Sequence, residues 1–348
     1  MRIYFEKIDM SQRRLIAPLL GTLALASLLA AGCTEDPVFP VRSVTVSAPS
    51  LPRLEGDAHY QLWFSYPTTS TQGKNPSPDH ADGAYFSVGR FRMNAEGAMV
   101  NLDGTPAKFE IPQGYNPNLI IDALLTVEPD GDNDTIPGAR MLAAPFRGTA
   151  QQAFARLELN DPEAFGSRIR SDTAGWASLD APTSNLPADA IRGIWFVEFI
   201  TDLQGTIIDT IPGLPLAPMP LNTDNRDWSY QGWLVRNEGT AQEEFIKLGR
   251  FLNPTRLDST GAGSGAGIAP NRVHQAPGED FVGGSPARAL NDGTYGVIVS
   301  AEPTGIELSR PLISVLRLEK IPSGQATQTS MTLLRPANPA YMEVTVDR

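Results

Sequence analysis

From Val41 onward the chain runs in short apolar or alternating stretches separated by Gly, Pro, Asn and Asp. Val41-Arg42-Ser43-Val44-Thr45-Val46 alternates strictly, while Tyr60-Gln61-Leu62-Trp63-Phe64 and the run from Leu119 to Val127 are rich in aromatic and branched residues. Such runs, bounded by turn residues, predict strands. Helical spacing is scarce past residue 33. The best candidate, Gln151 to Leu159, reads equally well as a strand that sets Phe154, Arg156 and Glu158 against Ala155, Leu157 and Leu159. Many short strands with turns between them predict an all-β chain built as sandwiches. Leu214 to Leu221, with three prolines, cannot donate a regular ladder and predicts an extended edge or a polyproline-like connection. Thr260 to Gly267 predicts a flexible loop from its glycines.

The N-terminus follows a different pattern. Arg2, Lys7, Arg13 and Arg14 precede an uncharged apolar run from Leu15 to Gly32, which ends at Cys33. A basic region, an apolar region and a small-residue exit make a secretory signal peptide over residues 1–32; an uncleaved spanning anchor is the competing reading. Met10 offers an alternative start. Leu29-Ala30-Ala31-Gly32-Cys33 resembles a bacterial lipobox. That resemblance implies that the Cys33 thiol carries a covalent lipid and becomes the first mature residue, with residues 33–41 as a lipidated tether. Each buried methylene contributes roughly 0.8 kcal/mol, so two or more acyl chains hold stably. Thr34, where the enterobacterial sorting pattern would have Asp for retention, favours the outer membrane. The expected location is the cell envelope, with the membrane as a partner through the anchor.

Past the tether the chain repeats itself. Tyr60-Gln61-Leu62-Trp63 recurs as Tyr230-Gln231-Gly232-Trp233, Gly89-Arg90-Phe91 as Gly249-Arg250-Phe251, and Val127-Glu128-Pro129 as Ala301-Glu302-Pro303. Pro137 and Pro311 extend the series, each before a further strand-like run. Matched landmarks in one order predict two related, tandem β-sandwich (immunoglobulin-like) domains, 42–184 and 185–348. The boundary falls in the polar, Pro-bearing segment Asp180 to Pro187.

The order Tyr-x-x-Trp, Gly-x-Phe, Thr-Val-Glu-Pro and a Pro-led strand resembles the extracytoplasmic C-terminal domain of anti-sigma-K factor proteins. It is carried by Tyr60, Trp63, Gly89, Phe91, Thr126, Val127, Glu128, Pro129 and Pro137, and in the second copy by Tyr230, Trp233, Gly249, Phe251, Ser300, Glu302, Pro303 and Pro311. Gly193-Ile194-Trp195-Phe196 and Pro277 to Phe281 are similar to anti-sigma-factor-like lipoproteins. The resemblance implies a framework, with no direct sigma-factor contact, because the chain lacks the paired-Cys zinc signature. Physically, Tyr and Trp three apart lie on opposite faces of a strand, Gly before a strand tolerates positive φ, and Glu-Pro closes a strand.

Composition narrows the chemistry. Of 348 residues, 39 are acidic and 28 basic, a formal charge of −11; removal of residues 1–32 leaves 37 against 24, or −13. With no dense basic block, nucleic acid is not an expected partner. One Cys excludes an internal disulfide, and Ser264 lies in the glycine loop without a nucleophile-elbow pattern. With only His59, His80 and His274 besides, the chain is expected to be no enzyme and to need no cofactor beyond the lipid. Asp130, Asp132 and Asp134 alternate like the start of a calcium loop, making calcium the candidate ion, but Thr135 and Met141 replace the required Gly and Glu. Asp258 and Glu279-Asp280 form a second, weaker candidate cation site across the glycine loop. Tyr66, Tyr85, Trp176 and Trp228 are candidates for a sugar-stacking platform. The function expected is a structural or protein-binding envelope module; the alternatives are an extracytoplasmic sensing partner of an anti-sigma-type system and a glycan-binding module.

Overall fold

In the computed structural model, which describes residues 39–66, 84–133, 135–169, 174–219, 228–267, 274–283 and 288–348, the strand-forming runs become β-strands nearly throughout. The expected signal peptide over residues 1–32, Cys33, His80 and Asp134 lie outside the described residues. The strands of the first half are β1 (Arg42–Ser47), β2 (His59–Tyr66), β3 (Ala84–Met93), β4 (Met99–Val100), β5 (Glu110–Ile111), β6 (Asp122–Glu128), β7 (Ala139–Pro145), β8 (Arg147–Gly148), β9 (Gln152–Glu158) and β10 (Gly175–Leu179). They continue as β11 (Gly193–Trp195), β12 (Val197–Thr201), β13 (Ile207–Pro212), β14 (Trp228–Arg236), β15 (Glu244–Phe251), β16 (Gly278–Asp280), β17 (Tyr295–Pro303), β18 (Ile313–Leu318), β19 (Ser330–Leu333) and β20 (Tyr341–Asp347). Among the described residues helix is confined to 3-10 turns at Pro117–Leu119, Gly166–Arg168 and Pro187–Arg192. Among the described residues no helix is long and apolar enough to cross a membrane. The chain is all-β with several antiparallel, sandwich-like sheets.

Local pattern explains most of these elements. The ambiguous Gln151–Leu159 run is strand β9, whose residues alternate exposed and buried, with Ala153, Ala155 and Leu157 inside. A period of two places one face on the core, so the alternation wins over helical spacing. The apolar run at Leu119 begins later than expected. Pro117 opens a 3-10 turn, and β6 starts only at Asp122.

The largest sheet has the order β4-β3-β2-β6-β7-β9-β20-β1-β5, with β8 paired to β9. A second has the order β15-β14-β17-β18, a third β16-β11-β10-β19, and β12 pairs with β13. The landmarks of the repeat take equivalent places in the first two sheets. Tyr60 lies opposite Phe91 and Val127, as Tyr230 lies opposite Phe251 and Ala301. Irregularities follow the same rule: the ladder slips at Leu125/Thr126 and again at Val299/Ser300, 174 residues on. Two chain copies thus share a register down to their bulges, which are local features fixed by particular residues.

Strand pairing does not follow the expected division at residue 184. β10 hydrogen-bonds to β11 and β19, while β20 returns to the first sheet between β1 and β9. Pro40 to Arg348 form one compact unit, and one apolar cluster contains Tyr60 and Leu62 together with Tyr230 and Val299. The first half of the polar segment that reads as a linker is held inside: Asp180 to Thr183 are buried, and the Thr183 N–H donates to Asp280 Oδ2 at 2.9 Å. Long-range pairing of β19 and β20 leaves no trace in the local composition.

Candidate functional site

Each copy of the repeat buries a tryptophan against a hydroxyl and a carboxyl. An indole N–H is a donor only, so a buried Trp needs an acceptor. In the first copy Trp63 Nε1 donates to Thr126 Oγ1 at 2.8 Å, Thr126 Oγ1 donates to Glu128 Oε1, and the Gly138 N–H donates to the same oxygen at 2.8 Å. In the second, Trp233 Nε1 donates to Ser300 Oγ at 2.8 Å and Glu302 Oε1 at 2.9 Å, and Ser300 Oγ donates to Glu302 Oε1 at 2.7 Å. Glu128 and Glu302 are both sealed, at 0% exposure, and Glu302 Oε2 has no hydrogen-bond partner among the described residues. Burial pushes both carboxyls up to about 7; Asp132 beside Glu128 adds to its shift, and Arg250, 3.8 Å from Glu302 Oε2, opposes the other. These groups tie strands together and face no solvent.

Tyr60 and Tyr230 do the same work on the opposite face. Their rings pack on Phe91 and Phe251 at 5.4 and 5.5 Å, and their hydroxyls donate to the carbonyls of Pro52 and Ala217 at 2.8 and 2.9 Å. Gly89 and Gly249 lie inside β3 and β15, not before a strand as expected. A Cβ at Gly89 would meet Phe109 Cδ1 at 2.9 Å, and one at Gly249, whose φ is 102°, would meet Asp258 Oδ1 at 2.4 Å. Pro129 directly follows the last residue of β6, and Pro303 is the last residue of β17.

Neither candidate cation site brings three carboxylates together to hold a metal ion among the described residues. Asp130 is exposed and Asp132 lies beside Glu128, while Asp134 is outside the described residues. Asp258 and Asp280 do meet near Glu279 behind the glycine loop, but they are spent on internal donors: Asp258 Oδ2 accepts the Gly278 N–H at 3.0 Å, and Asp280 Oδ1 accepts from Trp195 Nε1 at 2.7 Å. Burial, then Asp258 and Asp280, push Glu279 up to about 7. Among the described residues no group of three or more His, Cys, Asp and Glu is placed to hold a metal ion.

The glycine loop is packed where composition predicted a flexible segment. A Cβ on Gly263 would lie 2.1 Å from Glu279 Cγ, and one on Gly267 would lie 2.5 Å from the Thr183 carbonyl. Its glycines therefore serve close approach: the Gly267 N–H donates to Thr183 Oγ1 at 2.7 Å and the Asp280 N–H to the Ala262 carbonyl at 2.9 Å. Gly263→Ala, at a φ of 83°, is expected to cost about 2 kcal/mol of stability, measured as a lowered denaturant midpoint.

The aromatic candidates do not form a platform. Tyr66, Tyr85 and Trp228 are 2%, 5% and 6% exposed, and Trp176 is half-buried. Trp228 Nε1 donates to the Arg140 carbonyl at 2.8 Å, and its ring packs on Phe165 at 4.8 Å. His59 is buried with no partner for Nε2 among the described residues, and burial together with Arg90 and Arg92 pushes it down to about 4, so it is neutral at pH 7.

Open clefts remain among the described residues. One, of about 690 Å³, has mainly apolar walls that include Leu159, Ile169, Ile313 and Val315. One of its two arginines, Arg156, lies 4.2 Å over the Tyr341 ring and is bonded to Glu158 and Glu343 at 3.0 and 3.1 Å. Another, of about 570 Å³, has polar walls. Here His274 Nε2 lies 2.8 Å from Asp180 Oδ2, and Gln328 Nε2 donates to Asp180 Oδ1 at 3.4 Å. The imidazole is wedged edge-on against Trp195 and Phe199, at 5.2 and 5.6 Å. Gln328 stands at a φ of 53°, a conformation rare outside glycine. Ser184, in the same wall, donates to Asp189 Oδ2 at 2.6 Å and accepts the Leu186 N–H at 3.1 Å, so its hydroxyl is committed to a turn and is not aligned as a nucleophile. The sequence separated Asp180 from His274 by 94 positions and gave no signal for the pair. No family model, curated protein or solved structure matches the chain.

Proposed function

We propose that the chain is an exported, lipid-anchored protein of the bacterial cell envelope, acting without catalysis as a structural or protein-binding module. The observation that carries this is the basic start and the uncharged run from Leu15 to Gly32 ending at Cys33. The framework resemblance to anti-sigma-factor-like lipoproteins agrees with it. The absence of catalysis is supported by where the reactive groups go: Glu128 and Glu302 are sealed among strands, and the serine of the polar cleft is engaged in a turn. A mature charge of −13 repels the body from an anionic membrane surface, so the module stands off on its tether.

Cys33→Ser tests the anchor. The variant is expected to accumulate as unprocessed precursor or as soluble protein, while the parent fractionates with membranes and needs detergent for release. A Cys33→Ser protein that is still processed and still requires detergent overturns the proposal. Pull-down of the parent from membranes is expected to bring down a discrete protein partner.

A further inference from the structure

The polar cleft beside β10 has the chemistry of a binding site that the framework does not use. Its wall combines a carboxylate, an imidazole and carboxamides: Asp180, His274, Gln328 and Asn185. Planar groups of this kind offer donors and acceptors at fixed spacing, which suits vicinal hydroxyls. Among the described residues lining it there is no Lys or Arg, which disfavours phosphate and carboxylate ligands. Nor is it a plain cation trap, because each Asp180 oxygen already faces a side-chain nitrogen, His274 Nε2 at 2.8 Å and Gln328 Nε2 at 3.4 Å. These bonds orient His274 and Gln328 as the wall of the cleft. Leu186, 65% exposed, contributes an apolar side chain in a segment with Pro182 and Pro187, and such a surface matches the C–H face of a sugar ring. At about 570 Å³ the cleft lies within the size range of small-molecule sites.

We propose that the Asp180–His274 cleft binds a neutral saccharide, with His274 and Gln328, positioned by Asp180, and Asn185 hydrogen-bonding its hydroxyls and Leu186 covering an apolar face. The inference goes beyond the reading of the chain as a structural or protein-binding module, and is independent of the anchor.

The test is titration calorimetry of the full chain in detergent with maltotriose, cellotriose and chitotriose, with spermidine and citrate as charged controls. At least one trisaccharide is expected to bind with one site per chain, and neither control to compete. Asp180→Asn is expected to weaken binding by about tenfold, equivalent to roughly 1.4 kcal/mol. Leu186→Ala, at an exposed position that leaves the fold intact, is expected to weaken it several-fold. The site is overturned if no trisaccharide binds the parent chain, if the Leu186→Ala and Asp180→Asn variants both bind as the parent does, or if spermidine takes the site. Chromatography of the recovered sugar separates the two readings: binding with cleavage keeps the site and overturns the non-catalytic function, whereas absent binding overturns the site alone.

Discussion

Replacing Trp233 by alanine is expected to lower the stability of the protein by about 3–5 kcal/mol, and Trp63→Ala by a similar amount. Both indoles are buried, at 0% and 1% exposure, and each fills a cluster on the sheet face opposite the main core: Trp63 with Tyr85, Leu124 and Ala143, Trp233 with Val235 and Ile298. Truncation removes that packing and also withdraws the donor from the Thr126–Glu128 and Ser300–Glu302 pairs, leaving acceptors in a closed environment. Trp→Phe at either position keeps most of the volume and isolates the second contribution, about 1–2 kcal/mol. Denaturant unfolding reads both. The crossing of β20 into the first sheet and the shared core imply that either variant shifts the same main transition. A Trp233→Ala protein whose first-sheet signals unfold at the parental midpoint contradicts that coupling.

Much of this framework was legible in the chain because its determinants are local. A run such as Tyr60 to Phe64 carries its strand character in its own side chains, and the recurrence of Tyr-x-x-Trp and Glu-Pro at matched spacing marks equivalent strands whatever lies between them. The role of Gly89 was misplaced because a glycine's reason is its neighbour, here Phe109, twenty residues away. The return of β20 to β1 was hidden for the same cause: Met342, Val344 and Val346 spell an alternating strand, but nothing in them names the partner. Candidate sites were less legible still. Spacing suggested Asp130 and Asp132, whereas the groups that converge in an open cleft, Asp180, His274 and Gln328, come from three separate segments brought together by pairing of β10 with β19 and of β11 with β10 and β16. Alternation along a strand reports burial; convergence of side chains depends on topology.

The sealed carboxyls make stability depend on pH in an unusual direction, and this is the second large expected effect. Glu302 has an ordinary value of 4.5 and is pushed to about 7 by burial, so between those values the folded chain keeps a proton that the unfolded chain has released. Its favourable contribution is complete below about 4.5, falls as pH rises through 7, and is flat above. Over that window the loss is on the order of 3 kcal/mol for Glu302, with Glu128 acting in the same sense. Carboxylates held low, such as Glu244 in its bonds to Arg288, act the other way and limit stability only once pH drops into the carboxylate range. The melting temperature is therefore expected to be highest near pH 5 and to fall by several degrees by pH 8. In Glu302→Gln the amide oxygen still accepts from Trp233 and Ser300, but no proton is exchanged, so the decline between pH 5 and 8 shrinks markedly and the variant gains on the parent at pH 8. Parallel melting curves of parent and Glu302→Gln across that range would show instead that the carboxyl ionises freely in the folded protein, and the Trp233–Ser300–Glu302 bonds would then have to be strong enough to hold a full charge inside the sheet.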